Sequence, residues 1–75
     1  MHDEAVGSTG KLISPIRGPG TLGEVLVAVR GGTEGYIARA AEAIPAGSTV
    51  LVIAVDSGRI ADVVPWIPLT PDPAP

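Results

Sequence analysis

Residues Gly23 to Val64 read GEVLVAVRGGTEGYIARAAEAIPAGSTVLVIAVDSGRIADVV. Val25, Val27 and Val29 recur at period two, and β-branched side chains in such a run favour an extended backbone over a helix. Gly31-Gly32 follows as a hairpin signal, because both glycines tolerate positive φ. The return strand, Glu34 to Ala40, sets Tyr36, Ala38 and Ala40 on one face and Ile37 and Arg39 on the other. Ala41 to Ile44 is a short connection with room for one helical turn, since Pro45 pushes the residue before it out of the α region. Pro45-Ala46-Gly47-Ser48 is a turn with proline pre-set for its second position. Thr49 to Val55 is apolar on both faces, which predicts a central strand covered on two sides. Asp56-Ser57-Gly58 turns again, and Arg59 to Val64 is a last strand ended by Pro65. Strand and turn alternating at this spacing predict a meander or a small barrel. A barrel is preferred, because closure hides an apolar face that a flat sheet would leave in water and removes open edges.

Outside that stretch the pattern weakens. Leu12 to Ile16 is a short apolar piece with Pro15 inside it, and proline confines it to an edge strand. Arg17 to Thr21 is dense in breakers and forms a loop. Residues 1–10 are polar, acidic and rich in Gly, Ser and Thr, and are expected to be a flexible lead. Residues 11–69 are the expected domain, with Trp66-Ile67-Pro68-Leu69 folding back over an open end of the barrel. Residues 70–75 alternate proline with Thr, Asp and Ala and are expected to form an extended tail.

Composition narrows the function. A chain of 75 residues holds one domain at most, and a core this small gives marginal stability unless something staples it. There is no cysteine, so no disulfide does so, and with a single histidine a structural zinc site is disfavoured. Two aromatics, Tyr36 and Trp66, and no phenylalanine leave the core to Val, Ile, Leu and Ala. The net charge of −3 and the scatter of Lys11, Arg17, Arg30, Arg39 and Arg59 argue against nucleic acid as a partner. No run approaches the roughly 20 apolar residues of a membrane-spanning helix. The opening Met1-His2-Asp3-Glu4 lacks the basic and apolar regions of a signal peptide.

No set of residues promises catalysis. Ser8, Ser14, Ser48 and Ser57 have no histidine held near them, since His2 lies in the expected lead; they read as turn formers. Asp56 is explained by its turn, and Asp62 is expected to face solvent rather than pair with Asp56 for acid–base work. Gly18-Pro19-Gly20 and Gly31-Gly32 open no helix and precede no Gly-Lys-Thr, so no phosphate loop is read. Arg30 and Glu34 flank the glycine hairpin and are expected to pair across it. No cofactor, metal or catalytic residue is assigned.

The ordered set Gly23-Glu24-Val25, Val29-Arg30-Gly31-Gly32, Tyr36-Ile37-Ala38-Arg39, Ile44-Pro45-Ala46-Gly47-Ser48-Thr49-Val50-Leu51-Val52 and Val55-Asp56-Ser57-Gly58 resembles the C-terminal soluble domain of NfeD-like proteins. The resemblance implies an all-β, five-stranded OB-like barrel belonging to a membrane-anchored bacterial protein, at the inner membrane. It also implies a stomatin- or flotillin-type scaffold as partner. The serine protease domain of some long members is not in this sequence, and any contact with a membrane would run through a tether that this chain lacks.

The expected function is therefore a non-catalytic protein-interaction module. Trp66 is either a plug over the barrel mouth or an exposed anchor, and Leu26, Ile37 and Ile67 are candidates for the same outer patch. Self-association is another use for such a surface. The alternative from a different class is an oligonucleotide- or oligosaccharide-binding barrel, which wants stacking aromatics and basic residues on one face.

Overall fold

The computed structural model describes residues 5–66. It contains five strands: β1 (Thr9–Ser14), β2 (Leu22–Val29), β3 (Gly32–Arg39), β4 (Thr49–Asp56) and β5 (Ile60–Pro65). They close into a barrel in the order β1-β2-β3-β5-β4. Neighbours are antiparallel except β3 and β5, which run parallel over Ile37–Arg39 and Ile60–Asp62. This is the five-stranded OB-type architecture expected from the sequence. Among the described residues, no helix is long and apolar enough to cross a membrane.

The β2–β3 hairpin forms as the valine period requires. Val25 and Val27 point inward opposite Tyr36 and Glu34 in register, and Tyr36, Ala38 and Ala40 are buried. Val29 pairs with Gly32, so the loop itself is Arg30-Gly31, one residue earlier than the two glycines suggested. Both glycines do take positive φ, 87° and 151°.

β1 lies further toward the N-terminus than expected. It ends at Ser14, leaving Pro15 just outside the ladder, and Ile16 forms a separate bridge to Ile44. Its first residues, Thr9 and Gly10, come from the stretch expected as a lead. Ala5 there is fully buried, and the Gly7 and Ser8 backbones exchange hydrogen bonds with Val52. Polar composition misled because a ladder needs only backbone groups, and Gly10 is required at a close crossing: a Cβ there would sit 2.6 Å from the Leu26 carbonyl oxygen. With β1 moved this way it pairs with both β2 and β4, and the barrel closes.

The core is a column of aliphatic side chains, chiefly Leu12, Ile16, Val25, Val27, Val50, Val52 and Val63, with Tyr36 at its side. Each such side chain taken from water contributes roughly 1.5–3 kcal/mol. No helix forms at Ala41–Ile44; the chain bends, and Ile44 turns in to meet Ile16 at one end of the barrel.

β4 is not covered on two sides. Val50 and Val52 face the core, but the register slips between Val52 and Ala54, so Ile53 bulges outward and is 51% exposed. The bulge reverses parity, and Val55 packs against the core instead. A run that is apolar at every position thus comes from a bulged strand on an open wall.

Candidate interaction surface

Leu26 and Ile37 face outward on β2 and β3. Leu26 pairs with Gly35 and Ile37 with Glu24, so they are diagonal neighbours on one wall. Gly35 carries no side chain, and a shallow cleft of about 320 Å³ opens there between Ile13, Glu24, Ile37 and the Gly58-Arg59 turn. Trp66 follows β5 and its backbone N–H donates to the Thr49 carbonyl at 3.0 Å. Trp66 is 42% exposed. Ile67 lies outside the described residues. Trp66 does not join Ile37: they sit at opposite ends of the β3–β5 side of the barrel.

The residues beside Trp66 are ones that sequence reasoning passed over. Val64 shares its outward face at 37% exposure, Leu51 stands opposite Val64, and Ile53 is next along β4. Reading β4 as covered hid this patch. The period-two alternation of Asp62, Val64 and Trp66 on one face of β5 was the available signal.

Arg59 joins the β4–β5 turn to β3. It is a non-glycine residue at φ 63°. Its guanidinium lies 4.5 Å from the Tyr36 ring centroid, donates to Glu34 Oε1 at 2.9 Å and reaches the Gly35 carbonyl at 3.2 Å. Its own carbonyl accepts from the Ile37 N–H. Glu34 therefore pairs with Arg59 and not with Arg30 as expected. Arg30 sits in the hairpin loop beyond the last strand pair, while the left-handed turn swings Arg59 alongside β3.

Arg39 crosses the β3–β5–β4 wall. Its Nε donates to Asp62 Oδ1 at 2.6 Å, and its Nη2 to Asp62 Oδ2 at 3.0 Å and Asp56 Oδ2 at 2.7 Å. The Arg39 hydrogen bonds hold the Asp62 carboxyl below the usual carboxylate range, against the opposing effect of desolvation. Asp62 is half-buried rather than fully solvent-facing, and both aspartates act as acceptors for one guanidinium. A second cleft, of about 390 Å³, lies beside them, between Gly20, Ala41, Ile53 and Val64.

Ser14 Oγ donates to Glu24 Oε1, and Ser57 lies in a turn. Among the described residues no group of three or more His, Cys, Asp and Glu is placed to hold a metal ion. Tyr36, one of two stacking candidates, is buried beneath Arg59, and Arg39 and Arg59 are both engaged by carboxylates.

The family model described as the NfeD C-terminal domain matches residues 9–64. Among solved structures, the soluble domain of the NfeD protein YuaF from Bacillus subtilis is similar to this chain, with a TM-score of 0.74 and 30% sequence identity. That match covers 89% of this chain and 80% of the other. No curated protein matches the chain.

Proposed function

The chain belongs to the NfeD C-terminal domain family, and from that premise we propose that it is a non-catalytic docking module of a membrane-associated bacterial protein. Its partner is a protein scaffold of the stomatin or flotillin type, and its parent sits at the inner membrane. The observation that carries this reading is the outer wall: Leu26, Ile53, Val64 and Trp66 remain exposed although the barrel is closed and its core is filled. Large apolar side chains on a finished fold support burial against a partner. The likeness to the soluble domain of an NfeD protein supports the placement next to a membrane.

Oligonucleotide binding draws less support from the geometry, because Tyr36 is buried beneath Arg59, Arg39 and Arg59 are engaged by carboxylates, and only Trp66 among the described aromatics is exposed. Calorimetric titration of a purified stomatin-type scaffold domain into the chain tests the proposal. Saturable binding with a negative heat-capacity change is expected, as apolar burial produces. Absence of binding, together with tight, salt-sensitive binding of single-stranded DNA seen in Trp66 fluorescence, would replace this function with the alternative.

A further inference from the structure

We infer that the docking face is the wall formed by β2, β1, β4 and β5, and that it takes an apolar protein surface carrying a carboxylate opposite Lys11. This rests on the protein-docking function proposed above. Strand register supplies the first observation. Leu26 pairs with Lys11, Lys11 pairs with Thr49, and Trp66 bonds to Thr49. These four residues form one row across the outside of the barrel, spanning about 14 Å at the usual interstrand spacing. Leu51 and Val64, directly opposite each other, continue the surface one step along β4 and β5. Leu26 and Trp66 therefore belong to one face, with Lys11 and Thr49 between them.

Charge supplies the second observation. Lys11 is the single charged residue among these six. The ion pairs of the described residues use Arg39 and Arg59 and leave Lys11 unmatched. An ammonium flanked by Leu26 and Thr49, with Ile13 next on its own strand and the nearby Glu24 taken by Ser14, selects for one opposing carboxylate within apolar contact, because an unmatched charge inside a desolvated patch opposes binding.

The same two observations disfavour other occupants. A second copy docking by two-fold symmetry would set this face against itself and bring Lys11 toward its own counterpart. An anionic lipid surface is recognised by clustered basic residues, whereas this face has one and the whole chain carries a net charge of −3.

The test is titration of a purified stomatin-type scaffold domain into the full chain and its variants, each checked for folding by circular dichroism. Lys11→Glu and Trp66→Ala are each expected to weaken binding by about tenfold or more, as anchors at an interface centre do. Lys11→Met leaves the partner's carboxylate unmatched and is expected to weaken binding several-fold, less than Lys11→Glu, and to flatten its salt dependence. Ser57→Ala, in the β4–β5 turn at the far end of β4 from Thr49, is expected to change affinity by less than about twofold. Wild-type binding unchanged in Lys11→Glu and Trp66→Ala would overturn the face and leave the docking function standing. No wild-type binding would overturn both. Vesicles of phosphatidylglycerol and phosphatidylcholine provide the lipid arm and sedimentation over a concentration series the self-association arm. Binding to vesicles, or dimerisation, that is abolished by Trp66→Ala would overturn the protein partner; indifference in both supports it.

Discussion

Gly23 shows how single positions in this barrel are dictated by backbone rather than by side chains. It is buried on β2, where β1 leaves the ladder, and a Cβ there would meet the Ser14 carbonyl oxygen at 2.5 Å and the Pro15 carbonyl oxygen at 2.9 Å. Backbone atoms cannot rotate away, so Gly23→Ala is expected to lower stability by about 1–3 kcal/mol, read from urea denaturation. Asp62 carries a different kind of constraint. Arg39 lowers its pKa in the folded chain. The stabilisation is thus present above the unfolded carboxylate pKa, near 3.9, and is lost as pH falls through the lower folded value. Asp62→Asn is expected to lower the thermal midpoint by a few degrees at pH 7, the modest effect of a partly exposed pair, and the two melting curves should converge in acid. A gap that persisted at pH 2 would assign the loss to packing. The Arg39 network was not legible in the sequence. Arg39 and Asp62 lie 23 residues apart, and only the parallel register of β3 and β5 makes them neighbours. Leu26 and Ile37 were legible as outward residues, since the valine and Tyr-x-Ala periods leave them no other face.

At the level of elements, β2, β3 and β5 follow from period-two patterns, and β4 from a continuous apolar run, all bounded by Gly and Pro. β1 was displaced because its pairing residues, Thr9 to Lys11, look like linker, and closure of a barrel is a non-local property that no window of sequence displays. The open wall of β4 was hidden by its fully apolar run, in which Val50 and Val52 face inward, the bulge at Ile53 reverses parity and Val55 packs inward in turn. Pro65 fits the last position of β5: it pairs with Val50 while the Trp66 N–H next to it bonds to Thr49, so its missing donor lies on the side away from β4. That edge is thereby protected from further pairing. The β3–β5 seam is short and parallel, and is reinforced by side chains, Arg39 on one wall and Arg59 at the turn. Native-state hydrogen exchange should therefore find slow amides along the β2–β3 ladder, with the Ile37 and Ala61 amides of the seam opening first. Uniform protection across both would contradict this order. The Ile16–Ile44 contact closes one barrel end, and Ile44→Ala is expected to cost about 2–4 kcal/mol in urea unfolding.

As a whole, the molecule is a filled aliphatic cylinder that keeps Leu26, Ile53, Val64 and Trp66 exposed on its outside. Arg39 and Arg59 bind its own carboxylates, and the buried Tyr36 lies under Arg59. The docking proposed for its exposed wall is tested by binding. The most direct measurement is a nitrogen–proton correlation spectrum of the labelled chain during titration with an unlabelled stomatin-type scaffold domain. The expected result is a contiguous set of shifted or broadened amides at Leu26, Lys11, Thr49, Leu51 and Val64, together with the Trp66 indole. A spectrum that stays unchanged to saturating scaffold, or changes confined to the Ile13–Arg59 cleft, would contradict it.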